Sequence, residues 1–263
     1  MSSERVCRLN GPGGNSTFTG QNDKIMNMPV KLFTTSIFLH FISLLICNVS
    51  FSQPKSIVPY IPGKTPVGFE TEINGFLKQD SVEFPPAGAY LFTGSSTIRK
   101  WDHLKNDFKE ITVIQRGFGG STMKALNYYM NNIVIPYKPG VIVVYEGDND
   151  LVGGMSPQEF VSLCDTFVQH VHIALPKTII WFLSIKPSFA RRNYLPVQDE
   201  TNRLLKKLTR KKPKTRFIDI RPLMYDASGK LRPDFFEADS LHVNEKCYGV
   251  WADFMKEKLK ISQ

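Results

Sequence analysis

Five short apolar runs, each followed by a stretch of helical character, constrain this chain more than any other feature. The runs cover residues 89–93, 111–115, 141–145, 179–185 and 216–220 and are rich in Val, Ile, Phe and Tyr. Runs of four to eight such residues without polar alternation read as strands buried on both faces, which is the pattern of a parallel sheet. Helical segments are predicted at 97–108, 122–132, 157–175, 197–210 and 245–259, with a further short helix at 69–77. The clearest is 157–175, where Phe160, Leu163, Cys164, Phe167, Val168 and Val171 recur at the spacing of a one-sided helix. Alternation of this kind predicts a three-layer α/β/α sandwich around a mainly parallel, flavodoxin-like five-stranded sheet. Such sheets place their sites beyond the carboxyl ends of the strands, so the residues after each run carry the functional argument.

The first fifty residues stand outside this pattern. No charged residue occurs from Leu32 to Pro54, and Lys31 and Lys55 flank the stretch. Its apolar part, residues 32–47, is followed by a polar, small-residue stretch ending near Ser52. Basic flank, short apolar run and small residues are the three parts of a secretory signal peptide, with cleavage expected after Ser52. The apolar run is shorter than the roughly 20 residues of a spanning helix. Retention as an N-terminal membrane anchor is the alternative. Met26 or Met28 is a natural start for such a leader, which makes the polar residues before them an upstream extension. The expected organisation is therefore 1–52 as extension plus leader, 53–88 as a Pro/Gly-rich wrapping segment, and 89–263 as the α/β domain. The expected destination is periplasmic or extracellular.

Composition narrows the function classes. At 42% hydrophobic and 22% charged residues the chain is globular rather than disordered. Four cysteines are too few for a disulfide-framework fold. Only Cys164 and Cys247 follow the leader, and two buried free thiols are expected, with pairing as the alternative. The net charge of +9 permits anionic partners without requiring them. Eight of the basic residues lie between Arg203 and Arg216 on a predicted helix and beyond it, and read as a solvated face rather than a nucleic-acid site.

Four post-strand segments hold the candidate chemistry. Gly94-Ser95-Ser96 follows the first strand, where a tight turn presents a serine at a helix start; capping by Ser95 or Ser96 is the structural alternative. Arg116-Gly117-Phe118-Gly119-Gly120-Ser121-Thr122 follows the second. Its glycines allow close backbone approach, but it matches neither the dinucleotide fingerprint nor a P-loop. Glu146-Gly147-Asp148-Asn149-Asp150 follows the third. Its acids suggest a metal, yet no His or Cys lies near, and Asn149 offers an amide donor to a developing oxyanion. Asp239-Ser240-Leu241-His242 precedes the last helix, where a helical-turn spacing lets the aspartate orient the imidazole. His170 and His172, two apart on a helix, are expected to be solvated rather than metal ligands. His103 is expected to be an exposed helix residue. Trp101 is expected in the core, and Arg191 and Arg192 in a surface loop, with contact to an acidic substrate as the alternative.

Taken together, FTGSSTIRKW (Phe92 to Trp101), QRGFGGST (Gln115 to Thr122), GDND (Gly147 to Asp150) and DSLH (Asp239 to His242) resemble the sequence blocks of the SGNH, or GDSL-type, hydrolase superfamily. The resemblance runs from about Phe69 to the C-terminus and is nearest to platelet-activating-factor acetylhydrolase subunits and bacterial GDSL-like lipase/acylhydrolases. It implies Ser96 as nucleophile, His242 as base and Asp239 as its orienting partner. It implies an oxyanion hole from the backbone N–H groups of Ser96 and Gly120 and the side chain of Asn149. It implies no metal and no organic cofactor. Ser95 stands where the family has Asp, a position outside the triad. The implied partner is a small-molecule, carbohydrate or lipid ester, with no nucleic acid, and with a membrane only if the leader is retained as an anchor. A non-catalytic carbohydrate- or lipid-binding module on the same fold and a flavin or nucleotide binder are the competing classes.

Overall fold

The computed structural model describes residues 68–261. The leader, the start of the wrapping segment, Cys7 and Cys47 lie outside the described residues. Five parallel strands, β1 (Tyr90–Gly94), β2 (Val113–Gly117), β3 (Val141–Tyr145), β4 (Ile179–Leu183) and β5 (Thr215–Ile218), form one sheet in the order β2-β1-β3-β4-β5. All four pairings are parallel, so every strand's carboxyl end opens on the same edge. The first strand lies between β2 and β3, one place in from the side of the sheet, and the order of winding reverses beside it.

Side chains alternate between two cores. Leu91, Ile142 and Val144 face one, with α1 (Glu70–Val82), α4 (Met123–Ile133), α6 (Pro157–Ala174) and α7 (Leu195–Lys211). Phe92, Val143 and Tyr145 face the other, with α2 (Ser96–Arg99), α3 (Leu104–Asp107) and α8 (Glu245–Leu259). A further short helix, α5 (Asp148–Val152), follows β3. Helix α6 begins where the sequence supplies a capping box: the Ser156 hydroxyl accepts from Glu159 N–H, and Glu159 accepts from Ser156 N–H. Pro157 occupies the first position of that helix. Cys164 and Cys247 are free and buried in opposite cores, so burial rather than pairing accounts for both.

The expected helix at 97–108 is interrupted. It is two single-turn helices, α2 and α3, separated by Lys100 to His103. The amide of Gln115 donates to the carbonyls of Ile98 and Trp101, at 2.7 and 3.0 Å, and so takes the acceptors a continuing helix would use. The break drives Trp101 inward. It is fully buried, stacked on Tyr248 at 4.7 Å, edge-on to Phe108 and Trp251, and its indole N–H donates to Asp107. Trp101→Ala is expected to cost about 3–5 kcal/mol, the range for a large aromatic lost from a packed core, and to lower Tm accordingly. A thermal melt unchanged within error would contradict this packing.

Among the described residues no helix is long and apolar enough to cross a membrane. Helix α1 lies in the segment expected to wrap the surface, and it does more than that. Its Ile73 is buried, Asp80 holds both Arg116 and Tyr137, and Glu72 accepts from Gly119 N–H at 3.0 Å. The glycine loop after β2 is thereby anchored by an element that precedes the sheet.

Candidate active site

Gly94 ends β1 with φ +126°, and a Cβ there would lie 2.0 Å from the Tyr145 carbonyl oxygen. Only glycine allows the chain to leave β1 this close to β3. Ser95 follows, its N–H donating to that same carbonyl, and its own carbonyl accepts from Ile98 and Arg99. Ser95 is buried and makes no side-chain cap. Ser96 comes next, half-buried, with its hydroxyl in the cleft. The helix it opens is a single turn, so the local N–H groups rather than a helix macrodipole are what this turn offers an anion.

Ser96 Oγ lies 3.0 Å from His242 Nε2, and His242 Nδ1 lies 2.5 Å from Asp239 Oδ2. A carboxylate only accepts, so Nδ1 carries the ring proton and Nε2 is free to accept from the serine hydroxyl. The Asp239–His242 segment is not the helical turn expected from its spacing. Asp239 Oδ1 accepts from the N–H groups of Leu241 and His242, and Ser240 sits in the left-handed region at φ +57°. Aspartate's habit of bonding the backbone two and three residues on shapes this turn, and leaves its second oxygen for the ring. Burial works to raise the Asp239 carboxyl, but the bonds from the His242 ring and from the two N–H groups outweigh it and hold it well below the usual carboxylate range.

Asn149 enters from α5. Its amide donates to Ser121 O at 2.9 Å, which ties it to the glycine loop. Gly120, two residues before Thr122, has φ +74° and is exposed. The cleft over Ser96 is bounded by Ser95, Ser96, Asn149, Lys186, Arg191, Leu241 and His242 among others. Among the described residues neither Ser96 N–H nor Gly120 N–H has an acceptor. The cleft is small, about 200 Å³ including its mouth.

The three acids after β3 are all engaged internally. Asp148 accepts from Lys186 Nζ, Tyr145 OH and Gln198 Nε2 at 3.0, 3.0 and 3.2 Å. Burial pushes its carboxyl up, but Lys186 and Arg191 more than offset this and keep it below its ordinary value. Asp150 accepts from Met123 and Gly147 N–H, and burial pushes it up to about 6. Glu146 accepts from the Ser121 hydroxyl at 2.6 Å, and burial followed by the neighbouring Asp150 raises it well above 4.5. A carboxyl whose folded pKa is raised adds stability that is complete below its unfolded value and fades as pH rises toward the folded one. Glu146→Gln, which does not titrate, is therefore expected to gain in Tm relative to the wild type as pH rises above about 4.5. Parallel curves would show that Glu146 does not carry this linkage.

The remaining expectations divide. His103 is exposed, at the start of α3 and 3.5 Å from Glu245. The residues of the basic run point largely to solvent, with Arg203 paired to Glu200. His170 and His172 are half-buried rather than solvated, because α6 packs close to the loop before β4. His172 Nε2 lies 3.2 Å from Thr178 O, and burial lowers its pKa. Arg191 departs from the surface-loop expectation. It donates to Asp148 O and to Asn149 Oδ1, at 2.5 and 3.0 Å, whereas Arg192 is exposed. Lys186 and Arg191 were not legible as a pair, since nothing in their spacing announces that they meet one carboxylate.

A GDSL-like Lipase/Acylhydrolase family model matches residues 87–250, well over half of the chain. The chain belongs to that family. No curated protein matches it. Among solved structures, a Streptococcus pneumonia protein named for platelet activating factor superposes with a TM-score of 0.64 at 19% identity, covering 73% of this chain and 92% of its own. A GDSL-like lipase from Bacteroides thetaiotaomicron gives 0.61 at 16% identity, covering 72% and 97%. An acetyl xylan esterase from Geobacillus stearothermophilus gives 0.56 at 14% identity, covering 68% and 98%. These identities establish the shared fold, which is that of the SGNH hydrolases.

Proposed function

We propose that the protein is an exported serine ester hydrolase that removes short O-acyl groups, acetyl above all, from a carbohydrate. The observation that carries the reading is the unbroken chain Ser96 Oγ–His242–Asp239 beside Asn149. His242 Nε2 takes the Ser96 proton as Oγ attacks the ester carbonyl, and Asp239 stabilises the imidazolium that forms. The tetrahedral oxyanion is met by Ser96 N–H, Gly120 N–H and the Asn149 amide, each such donor worth about 3 kcal/mol. Collapse expels the alcohol, which takes its proton from His242. Water then enters, gives its proton to His242, and releases the acid through the same geometry.

Two features bear on the substrate. The cleft over Ser96 suits an acetyl group better than a long chain. The acetyl xylan ester named for the Geobacillus neighbour is the same class of substrate. Export rests on the leader-like residues 24–52.

Release of p-nitrophenol from acetyl, butyryl and octanoyl esters tests the acyl preference. Turnover is expected to fall at least tenfold from acetyl to octanoyl. A maximum at octanoyl would favour a lipase or lysophospholipase. Folded protein without turnover on any of them would favour the binding module.

A further inference from the structure

An oxyanion donor built from an asparagine side chain has a weakness that a backbone N–H lacks. Its amide can rotate by half a turn and present the carbonyl oxygen, which would repel the developing charge. Arg191, on the loop after β4, bears on this directly. A guanidinium only donates, so Nη2, 3.0 Å from Asn149 Oδ1, can be satisfied in one amide orientation alone. In that orientation the amide nitrogen reaches Ser121 O with one hydrogen and keeps the second. Arg191 is itself held at two points, because Nη1 donates to Asp148 O and lies 3.5 Å from Asp148 Oδ1. The Asp148 carboxylate, 6% exposed, is fixed in turn by Lys186, Tyr145 and Gln198. The same loop also grips the base-bearing turn, since Ala190 N–H donates to Ser240 O at 3.1 Å.

We propose that Arg191 is a positioning residue that locks the Asn149 amide with its N–H group toward the reacting carbonyl, and that the buried Asp148–Lys186 pair anchors Arg191 for this task. The inference rests on the ester-hydrolase reading and adds a residue that the family blocks do not contain. Arg191 acts through Asn149 and contacts no reacting atom.

Its test is a double-mutant cycle on p-nitrophenyl acetate with the full chain. Arg191→Met is expected to lower kcat about 10- to 100-fold, up to the loss of one oxyanion donor, with KM within about twofold. In the Asn149→Ala background the same change is expected to move kcat less than about threefold, because the group it positions is gone. Arg191→Lys, which can still donate to Oδ1, is expected to recover part of the loss. Arg192→Met, the exposed neighbour, is expected to match the wild type. Should Arg191→Met fail to fold, Arg191→Lys carries the same comparison at smaller amplitude. Equal losses in both backgrounds, or no loss in an active enzyme, would overturn the positioning role while leaving ester hydrolysis intact. Absence of any Ser96-dependent turnover in the wild type would overturn the reading itself and this inference with it.

Discussion

Ser96→Ala is expected to lower kcat for p-nitrophenyl acetate by about 10⁴- to 10⁶-fold, the range for loss of a serine nucleophile that acts as a unit with its base. The substitution removes one oxygen from a half-buried position, so the fold is expected to persist and Tm to move little. Ser95→Ala provides the contrast. Ser95 borders the same cleft but is buried, its hydroxyl has no bond to His242, and its backbone makes the bonds to Tyr145, Ile98 and Arg99. Its loss is expected to leave most of the activity. The reverse pattern would assign the nucleophile to Ser95 and would require the His242 side chain to move away from its present partner.

Asp239→Asn is expected to cost about 10³- to 10⁴-fold in kcat at neutral pH, with little change in structure. The argument is one of tautomers. The retained Oδ1 still accepts from Leu241 and His242 N–H, so the turn survives. The new amide N–H₂ faces His242 Nδ1, which must then accept. The ring proton moves to Nε2, and Nε2 can no longer take the proton of Ser96. Activity in Asp239→Asn near the wild-type level would mean that the tautomer is set elsewhere. In the wild type, the depressed Asp239 carboxyl contributes stability that is present above its unfolded value of 3.8 and is lost as pH falls through that value toward the folded one. Acid destabilisation from this site therefore belongs below pH 4.

Much of this architecture is legible in the sequence because burial writes itself into composition. Strands covered on both faces read as continuous apolar runs, and the observed strands fall within two residues of those runs. Helix α6 announces both its start, through Ser156 and Glu159, and its buried face. Ser96, Asn149 and His242 are legible for a different reason. Each follows a strand or precedes the last helix, and a parallel sheet brings all such positions to one edge. Three features resisted that logic. The break between α2 and α3 depends on Gln115, a side chain from another strand, which no local propensity reveals. The Asp239–His242 turn has the i, i+3 spacing of a helix but takes its shape from an aspartate bonding its own backbone. The Asp148–Lys186–Arg191 cluster joins residues about forty positions apart, and only the tertiary fold turns an unremarkable surface-loop arginine into a clamp on Asn149.

The most direct test of the central claim is covalent labelling by an alkyl fluorophosphonate. Attack by an activated serine oxygen on phosphorus forms an O–P bond and expels fluoride, leaving a stable analogue of the tetrahedral intermediate. Mass spectrometry of the digested protein is expected to find one adduct per chain, on Ser96, and none in His242→Ala. An adduct on Ser95 or on a residue outside the cleft, or a folded wild type that takes up no label, would contradict the assignment of Ser96 as the nucleophile.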